Sequence, residues 1–324
     1  MKSINYCWAA VHALTEEMER DERVFIAGED VAKIGGPFGG SRGLLEKFGP
    51  KRVKDTPISE NTIVGLAVGA AMTGLRPIVE IMYMDFFGLC LEQIYNQAAK
   101  MHYLFAGAFK MPIVIRTLCG SEMGSGPHHS QSLEAWVAHV PGLKVVMPTT
   151  PYEVKGLLKS AIRDDNPVIF IEHLALYRLK GEVPDEEYTI PIGLAAVKRE
   201  GKDLTVVATG LMVHKSLKAG ETLAQEGIEI EVIDPRTITP LDIDTIVKSV
   251  EKTGRLLIVT GSLKPFGTGA EIAAQVVENA FFSLDAPIKR LTPTFTPIPF
   301  GKVFEDFLFP QEAAIVETVR GMLK

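Results

Sequence analysis

Cysteine is scarce in this sequence. Three residues, Cys7, Cys90 and Cys119, are spread over 324 positions. An odd number with no C-x-x-C spacing supplies neither a disulfide framework nor a cysteine zinc site, and it fits thiols kept reduced in a cytosolic compartment. Long apolar runs are missing as well. The stretch from Ile63 to Met72 is too short, and too rich in glycine and alanine, to cross a bilayer, and the amino-terminal MKSINYCWAA lacks a signal-peptide core. Positive charge is not in excess: 34 Lys and Arg face 40 Asp and Glu, for a net charge of -6. That balance argues against nucleic acid or an anionic membrane as partner. No fixed-period repeat, low-complexity tract or P-loop occurs, and Gly35 to Gly40 does not fit the G-x-G-x-x-G dinucleotide fingerprint. Those glycines read as a flexible loop at the surface or beside an active site. The expectation is a cytoplasmic protein that binds neither nucleic acid nor membrane.

What is present is a full-sized core, with 46% hydrophobic and 23% charged residues. Short β-branched runs alternate with amphipathic stretches. Strands are expected at Val24–Ala27, Pro77–Met82 and Ile113–Thr117, and helices at Asn61–Thr73 and Phe86–His102. The clearest unit begins with the apolar run Leu143–Met147. Thr150 then caps a helix whose first residue is Pro151, with Glu153 completing a capping box. Val154, Leu157, Leu158, Ala161 and Ile162 lie on one face of that helix. The tetrad from Asp164 to Pro167 stops it, and Val168–Ile171 is the next strand. Strand, helix and strand at this length form a βαβ crossover and imply a parallel sheet. The pattern lapses between His173 and Pro191 and then resumes, with strands at Leu204–Ala208, Ile228–Ile233 and Leu256–Val259. Helices are expected at Val213–Gln225, Asp242–Lys252 and Ala270–Phe281. The fold class is therefore α/β, with two tandem domains expected at 1–185 and 186–324.

Three segments could carry chemistry. Glu60 ends the string TPISE at the mouth of the Asn61–Thr73 helix, where a carboxylate could simply complement the positive helix end. Gly65, Gly69, Ala70 and Ala71 leave one face of that helix nearly bare, so another backbone could approach closely, and a carboxylate at the edge of such an interface is a candidate functional acid. His128 and His129 follow the glycine- and serine-rich loop CGSEMGSGP. No third metal ligand stands at a recognisable spacing and there is no G-x-S-x-G elbow, so a binding or catalytic histidine on a loop is preferred to a metal site or a hydrolase. Tyr83 to Phe87 ends a strand and opens a helix. Core aromatics are the ordinary reading, but ligands bind at strand C-terminal ends in open parallel sheets, which singles out Phe86.

Six strings occur in an order and spacing that resemble one family. They are Asp55–Glu60 (DTPISE), Gly69–Pro77 (GAAMTGLRP), His129–Gln131 (HSQ), Pro141–Val146 (PGLKVV), Ala161–Pro167 (AIRDDNP) and Asp234–Ile238 (DPRTI). Together they are similar to the β chain of the thiamine-diphosphate-dependent pyruvate, branched-chain 2-oxo acid and acetoin dehydrogenases, within the transketolase-like family. The resemblance spans essentially the whole chain. Met84–Lys100 is most similar to acetoin dehydrogenase β chains, with pyruvate dehydrogenase β chains next.

The resemblance implies an N-terminal domain that binds the aminopyrimidine of thiamine diphosphate and a transketolase-type C-terminal domain. It also implies an α chain that holds the diphosphate and its Mg²⁺ through a G-D-G motif. No G-D-G occurs here. An α2β2 heterotetramer follows, with a lipoyl acyltransferase component accepting the acyl group after a small 2-oxo acid loses carbon dioxide or acetoin is cleaved. By position, Glu60 matches the glutamate that hydrogen-bonds the aminopyrimidine N1′, with Glu29 sharing its proton network. Phe86 is expected to stack on the ring beside Met82, and His129 to act in acyl transfer. Ile113, Ala161, Asp164 and Asn166 match a K⁺ site built from backbone carbonyls and an Asp, although Asp and Asn could equally close a plain helix C-cap. Two other readings stay open: a non-catalytic subunit that stabilises an α chain, and a self-sufficient oxidoreductase, for which no nucleotide or iron–sulfur motif speaks.

Overall fold

The computed structural model describes residues 1–120 and 123–324. The chain divides into two compact units. One comprises Met1–Cys119 with Trp136–Ile192; the other comprises Gly120–Ala135 with Gly193–Lys324.

The first unit opens with β1 (Lys2–Asn5) and α1 (Tyr6–Arg20). Then come β2 (Val24–Gly28), α2 (Leu44–Phe48), β3 (Val53–Asp55), α3 (Glu60–Met72) and β4 (Arg76–Tyr83). α4 (Met101–Leu104) precedes β5 (Val114–Cys119), and α5 (Glu134–Ala138) leads to β6 (Lys144–Val146), α6 (Pro151–Arg163), β7 (Val168–His173) and β8 (Lys180–Val183). β1 and β8 pair antiparallel. The main sheet of this unit runs β6-β7-β5-β4-β2-β3 with every pairing parallel. β2, β5 and β7 are buried along their whole length, as a sheet covered on both faces requires.

Local chemistry explains the best-defined helix. Thr150 accepts the Glu153 N–H at 3.2 Å, and Pro151 sits in the first turn. The Glu153 carboxylate reaches back one residue beyond the cap, accepting from the Thr149 N–H at 3.2 Å and its hydroxyl at 2.9 Å. α6 packs on α1, where the fully buried Glu17 pairs with Arg163 at 2.6 Å. The expected helix at Phe86–His102 is instead three pieces: a 3-10 segment at Met84–Leu89, a π-helical turn at Gln93–Ala98 and the short α4. In the π turn the Ala99 N–H reaches the Ile94 carbonyl at 3.1 Å. The buried residues Phe87, Cys90, Ile94 and Ala98 share one side, so the apolar pattern is helical while the winding is not regular.

The second unit contains β9 (Ala196–Arg199), β10 (Leu204–Ala208), α7 (Leu211–Ala224), β11 (Ile230–Asp234), β12 (Thr237–Thr239), α8 (Ile243–Thr253) and β13 (Leu256–Val259). α9 (Thr268–Ala280), β14 (Lys289–Leu291), α10 (Lys302–Leu308) and α11 (Glu312–Met322) complete it. Its sheet runs β14-β13-β10-β11-β9, parallel except for the edge strand β9. Alternation along β10 divides the core. Val206 joins Met212, Val213, Ile315 and Val319 of α7 and α11 on one face, while Val207 joins Ile246, Val250, Ile272 and Val276 of α8 and α9 on the other. Residues 120–135, up to the first two residues of α5, belong here. Gly124 donates to the Glu305 carboxylate at 3.0 Å, and Ser125 bridges to Phe300. No helix among the described residues is long and apolar enough to cross a membrane.

Candidate active site

Glu60 is the first residue of α3 and is 6% exposed. Its helix buries Ile63, Val64, Ala67, Val68 and Ala71 on one side. The opposite face, with Asn61, Thr62, Leu66 and Gly69, lies open, and a methyl group built at Gly69 would meet nothing within 4 Å. At Gly65 the helix lies against the π turn, where the Gln93 carboxamide would come within 3.5 Å of an added Cβ.

Parallel pairing brings a second carboxylate to Glu60. Gly28, the last residue of β2, lies opposite Asp55 and Glu80, and its carbonyl accepts the Thr56 N–H at 3.0 Å. The next residue, Glu29, is therefore held at the strand ends. Burial, then the charges of Glu60 and Asp30, raise the Glu29 carboxyl above its ordinary value. Burial and then Glu60 push the Cys90 thiol up to about 12, so it stays protonated. The Thr56 hydroxyl oxygen is buried with no hydrogen-bond partner among the described residues. At the carboxyl end of β4, Met82 and Phe86 are both half-buried, and the Phe86 ring meets Tyr83 edge to face at 6.1 Å.

Beneath them lies a network that reading the sequence did not single out. Glu80 and Arg116 face each other across β4 and β5. The Arg116 guanidinium is 1% exposed and binds Glu172 at 2.7 Å and Glu80 at 3.2 Å. Tyr177 donates to the other Glu172 oxygen at 3.0 Å. The Glu80 carboxyl is raised, chiefly by burial; Arg116 opposes this, and Glu172 and Glu29 add to it. One signal was available: charged residues in the middle of strands that are otherwise apolar on both faces.

The four residues of the expected K⁺ site come together where α6 ends. The Ile113 carbonyl accepts the Val168 N–H at 2.8 Å, and the Ala161 carbonyl accepts the Asp164 N–H at 3.3 Å. Asp164 Oδ1 receives the backbone and side-chain N–H groups of Asn166 at 2.9 and 3.0 Å, and its other oxygen pairs with Lys144. Burial works against ionisation of Asp164, but the Lys144 and Asn166 hydrogen bonds outweigh it and hold the carboxyl below its ordinary value. The Asp164 carbonyl also accepts from Arg76 at 2.6 Å. The carboxylate is thus already neutralised, and backbone carbonyls are the donors left for a cation. No cluster of three or more His, Cys, Asp or Glu among the described residues could hold a metal ion.

His129 lies apart from these groups in sequence and in structural unit. It is half-buried, its N–H reaches the Gly126 carbonyl at 3.4 Å, and its neighbour His128 is exposed. Ser121 and Glu122, in the loop before it, lie outside the described residues. The loop ends at Glu134, which is 1% exposed, and neither carboxylate oxygen has a hydrogen-bond partner among the described residues. Burial pushes this carboxyl up to about 7.

Residues 2–180 match the transketolase pyrimidine-binding domain and residues 193–315 the transketolase C-terminal domain. The acetoin:2,6-dichlorophenolindophenol oxidoreductase subunit beta of Cupriavidus necator is 47% identical over 96% of this chain and 95% of its own length. The 2-oxoisovalerate dehydrogenase subunit beta of Bacillus subtilis is 48% identical over 95% of this chain and 94% of its own. The pyruvate dehydrogenase E1 component subunit beta of the same organism is 44% identical over the full length of both. A split-gene transketolase solved as an inactive beta4 tetramer shares the fold, with a TM-score of 0.81 at 23% identity over 99% of this chain and 98% of its own. The chain belongs to the transketolase-like family of 2-oxo acid and acetoin dehydrogenase β subunits.

Proposed function

We propose that the chain supplies the aminopyrimidine half of a thiamine diphosphate site and works with an α chain in an α2β2 enzyme. That enzyme cleaves acetoin or decarboxylates a 2-oxo acid and passes the acyl group to a lipoyl carrier. The observation that carries the proposal is the electrostatic proximity of buried Glu60, at the start of α3, to Glu29 at the carboxyl end of β2, next to the strand β4 that delivers the half-buried Phe86. The partnerless Thr56 hydroxyl supports it, because a polar ligand atom would satisfy that group. Bound there, thiamine diphosphate supplies a nucleophilic carbon and an electron sink.

The chain's own residues do the rest. Glu60 holds a proton at the pyrimidine N1′ from the start of α3. Glu29, whose carboxyl is raised by burial and then by the Glu60 and Asp30 charges, shares that proton network. Phe86 and Met82 orient the ring and keep water from it. His129, on its loop, serves the acyl-transfer step. Mg²⁺ and the diphosphate fall to the α chain. A K⁺ ion at the end of α6 would be held by the carbonyls of Ile113, Ala161, Asp164 and Asn166, with the Asp164 carboxylate committed to Lys144. The exposed face of α3, with Leu66 and Gly69, is where a second chain would approach.

The test is co-expression with an α chain of this family, followed by a screen of acetoin, pyruvate and branched-chain 2-oxo acids against an artificial electron acceptor. The expected result is a stable α–β complex whose turnover depends on thiamine diphosphate and Mg²⁺. A complex that forms but turns over none of these substrates would favour an assembly subunit instead.

A further inference from the structure

The glycine-rich segment after β2 is a built wall of the first unit. Gly35, Gly36 and Gly39 have φ of +80°, +82° and +86°, and a Cβ at Gly35 would lie 2.8 Å from the Arg42 Cα. Side chains are excluded there by the fold itself. The segment is fastened at several points. Asp55 accepts from the Ala32 N–H at 2.7 Å, Gly36 donates to the Asp30 carbonyl at 2.9 Å, and the Ser41 hydroxyl donates to the Val31 carbonyl at 2.7 Å. The buried Arg116 guanidinium, already clamped by Glu80 and Glu172, donates to the Gly40 carbonyl at 3.3 Å. A Cβ at Gly40 would sit 3.1 Å from that guanidinium. The Cys7 thiol lies 3.6 Å from the Phe38 carbonyl.

Between these fastenings the loop projects Phe38. Its ring meets Tyr83 edge to face at 5.7 Å and 80°, and Tyr83 meets Phe86 in the same manner at 6.1 Å and 86°. Tyr83 is 7% exposed, so the middle ring has little freedom to move without one of its neighbours. We propose that Phe38 is a positioning residue for the cofactor ring: it braces Phe86 through Tyr83, and Arg116 holds the loop that carries it. The inference rests on the reading of Phe86 as the residue that stacks on the aminopyrimidine. Edge-to-face pairs gain from ring geometry as well as buried area, so replacing one ring with an aliphatic chain loosens the next.

The experiment measures thiamine diphosphate affinity of the assembled α–β enzyme by calorimetry, with Mg²⁺ present, alongside kcat and the half-saturating cofactor concentration. Phe38→Leu is expected to weaken binding by about 2- to 10-fold, the scale of one aromatic pair, with more of the loss in affinity than in kcat. Phe38→Tyr is expected to restore binding. Phe86→Leu is expected to weaken binding as well, and the double variant to bind no worse than about twofold below Phe86→Leu alone. If Phe86→Leu binds cofactor like the wild type, the stacking reading is wrong and the brace falls with it. If Phe86→Leu weakens binding while Phe38→Leu does not, or the two losses multiply in full, the site stands and the brace is refuted.

Discussion

Glu134 ties a measurable pH dependence to one side chain. It closes the loop that bears His129, its carboxylate is 1% exposed, and no hydrogen bond reaches either oxygen from the described residues. Burial moves the carboxyl from 4.5 to about 7 in the folded chain. At about 1.4 kcal/mol for each tenfold change in proton affinity, that displacement corresponds to roughly 3 kcal/mol. The sign follows from proton binding. Between pH 4.5 and about 7 the folded chain holds a proton that the unfolded chain has lost, so stability is full below pH 4.5 and drains away as pH rises to about 7. Glu29 and Glu80, also raised, act in the same direction, which makes the comparison with a single variant essential. Glu134→Gln keeps the shape and removes the titration. In urea unfolding of the isolated chain from pH 5 to pH 8, the wild type is expected to lose up to about 3 kcal/mol more than the variant across that range. Parallel pH profiles for the two proteins would refute the argument, because they would mean the carboxylate finds a partner or water when it ionises.

Other consequences can be checked separately. If K⁺ binds the carbonyls at the end of α6, replacing it with tetramethylammonium should lower the thermal midpoint of the first unit by several degrees, on the scale of roughly 1 kcal/mol for a domain of this size; an unchanged midpoint would leave the turn as a plain helix cap. His129→Ala is expected to damage the complete reaction with the lipoyl carrier far more than the partial reaction with an artificial acceptor, and equal losses would return His129 to substrate binding or loop structure. Arg116→Met leaves the buried Glu172 and the half-buried Glu80 without their cation and is expected to cost about 3–5 kcal/mol in urea unfolding; a loss below about 1 kcal/mol would show that the carboxylates simply take up protons.

Much of this molecule is legible from local signals. Thr150, Pro151 and Glu153 mark the start of α6, Asp164 to Pro167 marks its end, and the apolar runs on either side become β6 and β7. In the second unit, alternating blocks of apolar strand and amphipathic helix fall where periodicity puts them. Position at a helix mouth and at a strand end singled out Glu60 and Phe86; the resemblance gave them their roles and added Glu29. What the sequence hides depends on distant partners. Phe86 to His102 has helical spacing of apolar residues, and nothing local reveals the 3-10 and π winding that seats Cys90 and Ile94. The glycines from Gly35 to Gly40 suggest mobility, yet positive φ angles, the Arg116 hydrogen bond to the Gly40 carbonyl, and the flanking bonds of Ala32 to Asp55 and Ser41 to Val31 hold the segment in place. The association of residues 120–135 with the second unit rests on contacts such as Gly124 with Glu305, which are 181 residues apart. Arg116, Glu80 and Glu172 stand on three different strands, and only the parallel register brings them together.

Removing the Glu60 carboxylate from the assembled enzyme shows whether it activates the cofactor. Glu60→Gln keeps the shape of the side chain at the start of α3 but gives up its negative charge and its capacity to take and return a proton. In the α–β enzyme saturated with thiamine diphosphate and Mg²⁺, single-turnover rates with the preferred substrate should fall by about 10²- to 10⁴-fold, the usual contribution of a general acid–base group. The urea midpoint and the α–β stoichiometry should match the wild type. A Glu60→Gln enzyme that assembles normally and turns over within a few-fold of wild type would contradict the claim that Glu60 activates the cofactor.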